Sequence, residues 1–78
     1  MGIFDRKKIK KFPNGETEEL FYVNISGNKN GEYTRYHENG LVFQKAFFEN
    51  DVQEGVSQTF DLKGNLIRER NFINGLTK

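Results

Sequence analysis

Apolar and polar positions alternate through most of this chain, in runs of seven to ten residues that end at glycine-containing turns. The runs are rich in Phe, Tyr, Val, Ile and Thr, the side chains that suit a pleated, half-buried surface. Asn-Gly pairs at 14–15, 30–31, 39–40 and 74–75 punctuate them, and Pro13 is the only proline. Such pairs tolerate the positive φ that hairpin turns demand. The pattern predicts six antiparallel strands near 6–12, 16–24, 31–37, 41–49, 55–61 and 65–73. A helix over 41–50 would need to continue past Asn50-Asp51, where the chain offers a turn instead. Gly40 and Gly64 are expected at positive φ, closing two of the hairpins.

The same phrase is written more than once. Residues 31–54 align with 55–78, with Gly31, Gly40, Phe48 and Asn50 matched by Gly55, Gly64, Phe72 and Asn74. Tyr36, Val42, Phe43 and Val52 are matched by the apolar Phe60, Leu66, Ile67 and Leu76. A degraded copy, "KKFPNGETEELFYVN", precedes them, with Phe12 standing for Tyr36 and a turn one residue shorter at Asn14-Gly15. Three copies, near 7–30, 31–54 and 55–78, meet the usual minimum for stacked repeats with atypical ends. The expected architecture is one all-β domain over 1–78, an antiparallel meander of three consecutive hairpins.

Strict period-2 parity then sorts the side chains. One face is expected to carry Phe12, Tyr36, Val42, Phe48, Phe60, Leu66 and Phe72, a spine shared between hairpins. The other is expected to carry Tyr33, Leu41, Phe43, Phe47, Ile67 and Ile73. A solvated antiparallel sheet should be polar on that second side. An apolar second face implies a cover, and two kinds are open: the chain itself, through a curled sheet or a packed N-terminal segment containing Ile3 and Phe4, or a partner or self-association surface.

The stretches "GEYTRYHENGLVFQKAFFEN" and "GVSQTFDLKGNLIRERNFINGL" resemble the bacterial variant of the MORN repeat. Tyr33, Tyr36, Gly40, Val42, Phe48 and Asn50 fit its pattern in one copy; Phe60, Gly64, Leu66, Phe72, Asn74 and Gly75 fit in the next. Asp51 and Ser57 depart from it, at a glycine and an aromatic position. The resemblance implies a β-hairpin meander and protein binding, and bacterial members are often labelled antitoxin components.

Composition narrows the chemistry. Seventy-eight residues bury only roughly 60% of their unfolded surface, which leaves stability marginal without external help. There is no cysteine and His37 is the only histidine, so disulfides and thiolate or His-rich metal sites are excluded. No cofactor is expected. The carboxylates form no paired pattern; Glu16, Glu18 and Glu19 read as a solvated strand, and His37 as a turn residue. No enzyme is expected. A formal net charge of +1, no bilayer-length apolar run, no lipidation motif and no signal segment after Met1 point to a soluble cytoplasmic protein off the membrane. The "NIS" sequon at 24–26 then has no role.

The expected partner is therefore another protein, with a homodimer as one form of the association. Tyr33, Leu41, Phe43, Phe47, Ile67 and Ile73 are the expected contact residues, aromatic groups and arginine being the usual anchors. Inhibition of the target, as by an antitoxin or by a phage or mobile-element inhibitor of a host nuclease, is the type of activity implied. The alternative is nucleic-acid binding through Lys7, Lys8, Lys10 and Lys11 in "RKKIKK" together with Arg68 and Arg70. Against it, lysines on a first strand also serve to keep an edge from pairing.

Overall fold

A computed structural model of the chain describes residues 5–77. It is all-β. The strands are β1 (Arg6–Lys11), β2 (Thr17–Val23), β3 (Lys29–Tyr36), β4 (Val42–Glu49), β5 (Val52–Gln53), β6 (Gly55–Phe60), β7 (Leu66–Ile73) and β8 (Leu76–Thr77). They form one antiparallel sheet in the order β1-β2-β3-β4-β6-β7-β8, with β5 added to β4. The six expected strands are all present; β5 and β8 are additional two-residue strands, and β3 begins two residues early. At 33 × 32 × 16 Å the molecule is one layer thick, since a second packed sheet would add about 10 Å.

The turns explain the strand boundaries. At 12–16, 24–28, 37–41 and 61–65 the same two bonds recur: the first residue's N–H donates to the fifth residue's carbonyl, and the fourth residue, a glycine, donates back to the first. In the second and third hairpins that glycine is Gly40 (φ 89°) and Gly64 (φ 91°), as expected from the sequence. The arrangement is a type I turn closed by a left-handed residue, which only glycine adopts at little cost. Asn50-Asp51 and Asn74-Gly75 instead have positive φ at both central residues, the primed two-residue turn that launches β5 and β8. The Asn30-Gly31 pair makes no turn; it lies inside β3. The first hairpin's turn is also not shortened. Phe12 is the counterpart of His37, a turn residue, and Lys11 that of Tyr36.

Each long hairpin carries one bulge at the same place. Lys10 pairs with Glu19 but Lys11 with Thr17; Arg35 with Gln44 but Tyr36 with Val42; Thr59 with Arg68 but Phe60 with Leu66. The extra residues are Glu18, Phe43 and Ile67. One inserted residue reverses the parity of everything beyond it. The expected spine is therefore divided, with Phe48 and Phe72 on one face and Tyr36, Val42, Phe60 and Leu66 on the other. Tyr33 also changes sides. It pairs with Ala46, Phe48 pairs with Gly31, and the Tyr33 and Phe48 rings meet edge to face at 5.6 Å. Tyr33 is a companion of Phe48, not its opposite.

The core is one row across the sheet. Phe21, Tyr33 and Ala46 are successive register partners, and Ser57 comes level with Ala46 because Thr59 pairs with Gln44 two residues away. Tyr33 (8% exposed), Ala46 (2%) and Ser57 (7%) are the buried residues among those described. All lie on one side, here called the first face. Ile3 and Phe4, considered above as a cover, lie outside the described residues.

Candidate interaction surfaces

Burial of Tyr33 on the first face is completed by polar neighbours. Its hydroxyl donates to Glu19 Oε1, and Lys29 Nζ lies 5.5, 5.2 and 5.3 Å from the ring centroids of Phe21, Tyr33 and Phe48. An ammonium over three aromatic faces is held by their quadrupoles, and its stem covers apolar surface. Burial pushes the Tyr33 hydroxyl up to about 12, helped by the hydrogen bond to Glu19 and by that carboxylate's charge. Tyr33, expected as a contact residue, is thus already occupied within the sheet.

The same face gathers cations. The register row Lys10, Glu19, Arg35, Gln44, Thr59, Arg68 crosses six strands, roughly 24 Å at the usual strand spacing. Lys8 and Arg70 stand one step along the same side, opposite Phe21 and Ser57. Glu19 meets Lys10 at 3.7 Å and Glu18 meets Arg35 at 4.0 Å, so the acids are drawn to the β1 side. Of the basic residues singled out from the sequence, Lys8, Lys10, Arg68 and Arg70 come to one face. Lys7, register partner of Tyr22, and Lys11, just past Lys10, turn to the other.

The second face is apolar at one corner. Phe47 is level with Val56; Asn71, two residues before Ile73, pairs with Val56; Ile73 pairs with Leu76, and Val52 pairs with Glu49 two residues beyond Phe47. These five apolar side chains are between 40 and 73% exposed. Phe47 and Val56, with Glu32, Thr34, Lys45 and Gln58, also line a hollow of about 390 Å³. Phe47 and Ile73 therefore lie where parity put them. Val52, Val56 and Leu76 complete the patch: β5 and β8, which carry Val52 and Leu76, are too short to show periodicity, and Val56 in β6 shares the parity of Phe60, which strict alternation places on the side opposite Phe47.

The remaining expected residues are elsewhere. Leu41 is exposed beside its turn, and Ile67 is exposed at the third bulge. Phe43, the second bulge residue, is half-buried, its ring 4.7 Å from that of His37 and 5.8 Å from the Arg35 guanidinium carbon. His37 Nε2 stands 3.0 Å from the Phe60 carbonyl oxygen, which can only accept, so this nitrogen donates. Asn39 donates likewise to the Leu62 carbonyl at 2.9 Å, tying the two turns together. Asp61 accepts from the Asn65 and Lys63 amides, which hold its carboxyl below the usual range. Among the described residues no group of three His, Asp or Glu side chains is placed to hold a metal ion, and no helix is long and apolar enough to cross a membrane.

Comparison with protein-family models, with curated proteins and with solved structures returns no match.

Proposed function

We propose that the chain is a non-enzymatic, MORN-like protein-binding module that acts in the cytoplasm by direct contact with another protein, as an inhibitor or antitoxin-type component. The observation that carries this reading is the second-face corner formed by Phe47, Val52, Val56, Ile73 and Leu76. Large apolar side chains gathered on one exposed surface mark an interaction site. Leaving each wet forgoes about 1.5–3 kcal/mol on full burial, so a covering protein has a substantial driving force. A second copy is the simplest protein able to provide such a cover.

A second reading is favoured by one separate observation. Lys8, Lys10, Arg68 and Arg70 come to the first face, where a phosphate backbone could run between β1 and β7. The test separates the two. Tagged wild-type and Phe47→Ala proteins are used to capture partners from the native host, with and without nuclease, and sedimentation reports self-association. The protein-binding reading expects capture or dimerisation that survives nuclease and is lost in Phe47→Ala. Capture abolished by nuclease and unaffected by Phe47→Ala would replace it with the nucleic-acid reading.

A further inference from the structure

β4 and β7 are the same strand of two successive repeats, yet their outer edges are treated differently. β4 turns through Asn50-Asp51 into β5, which covers Phe48 and Glu49. β6 then continues along that edge, placing Thr59 opposite Gln44 and Gln58 opposite Lys45. β7 turns through Asn74-Gly75 into β8, which covers Phe72 and Ile73 in the same manner. Among the described residues nothing pairs with the outer edge of 66–71, and every side chain in that stretch is exposed. An unpaired row of backbone donors and acceptors is a template for an added strand.

The preceding repeat specifies what such a strand presents. Arg68 stands where Gln44 stands in β4, and Arg70 where Ala46 stands. The counterparts of Thr59 and Ser57 on an added strand would therefore face two guanidinium groups on the first face. Opposite charges directly across a ladder stabilise the pair, and like charges oppose it. We infer that the 66–71 edge of β7 takes up an extended acidic strand of a partner protein, with carboxylates at alternating positions opposite Arg68 and Arg70. This rests on the protein-binding reading and names the chemistry of the partner.

A second copy does not fit this edge. Pairing β7 with β7 about a two-fold axis normal to the sheet and passing through Glu69 sets Arg68 against Arg70. Pairing β7 with another copy's β1 brings up a strand in which Arg6, Lys7, Lys8, Lys10 and Lys11 leave only Ile9 uncharged. Both arrangements put like charges together.

The test is a titration of the isotope-labelled 78-residue chain, followed by amide chemical shifts. The probe is a capped octapeptide alternating threonine and glutamate; the controls are the same peptide with lysine for glutamate, the glutamate peptide N-methylated at alternate residues, and a twelve-nucleotide oligothymidylate. The expected result is shifts centred on 66–71 with the glutamate peptide. Affinity should fall about tenfold or more in the Arg68→Glu/Arg70→Glu double variant, which should prefer the lysine peptide instead. N-methylation should abolish binding, because it removes the backbone donors that make a ladder. Undiminished binding of the N-methylated peptide, shifts centred on β1 or on the Phe47 corner, or shifts at 66–71 only with the oligonucleotide would each overturn the inference. No binding of the glutamate peptide, alongside Phe47-dependent capture of a protein, overturns the edge inference and leaves the protein-binding reading standing.

Discussion

Phe47 and Phe48 are neighbours in the chain with opposite situations. Phe48 lies on the first face, against Tyr33 and beneath Lys29, in the cluster that closes the core. Phe47 lies on the second, 46% exposed, at the edge of an apolar corner. One residue of separation in a pleated strand is enough to divide a member of the core cluster from an exposed side chain. In a single layer the two sides share a backbone but need not share a purpose.

The largest expected effect breaks the first face. Phe48→Ala should cost about 3 kcal/mol, the low end for a buried phenylalanine because this one is only half-buried. Thermal melting should show little or no folded protein, given the small total stability of a chain this size. If Phe47→Ala melted the chain as badly, the division between the faces would be wrong.

Next in size is an alkaline transition that belongs to the first face alone. The Tyr33 hydroxyl ionises near 10 in the unfolded chain and only at about 12 in the folded one. The neutral form is favoured by folding, so the contribution is fully present below pH 10 and is lost as pH rises toward 12. Its size is on the order of 2 kcal/mol. Urea unfolding at stepped pH should show the loss, and Tyr33→Phe should flatten that part of the profile.

Lys29→Gln should cost about 1 kcal/mol in the same assay, through loss of the ammonium over three rings. No change would mean that the stem, not the charge, does the covering. The smallest effect on stability is expected on the second face: Phe47→Ala and Ile73→Ala should each stay within about 0.5–1 kcal/mol of wild type. Their consequence should appear instead as lost association, read by sedimentation or capture.

Much of this arrangement could be read from the sequence, and the reasons for the rest are local. Turn chemistry is short-range, so Gly40, Gly64 and the Asn74-Gly75 pair announced the strand ends. Strict parity through 41–43 places Tyr33 opposite Phe48, because Phe43 is an extra residue that no pattern of apolar positions distinguishes from an ordinary one. Asn30-Gly31 looked like a turn because the pair is chemically able to make one; its place in β3 is decided by pairing with β4. The Lys29 site was invisible for a different reason. It needs three aromatic rings from β2, β3 and β4 in register, and register is a property of the assembled sheet.

The ties that close the second and third hairpins, and those that join one to the other, have a consequence for how the molecule opens. Asn50 N–H donates to the Asn30 side chain and Asn74 N–H to that of Glu54, while the Asp51 and Gly75 amides donate to the Lys29 and Gln53 carbonyls. With the His37–Phe60 and Asn39–Leu62 bonds, these join residues 20 to 23 positions apart. No closure in this set spans the whole chain, so assembly can proceed by accretion of one hairpin onto the last. Opening can run the same way in reverse. Amide protons of β6 and β7 should exchange with solvent through detachment of the third hairpin alone, at a lower free energy than those of β3 and β4, which have a hairpin on either side.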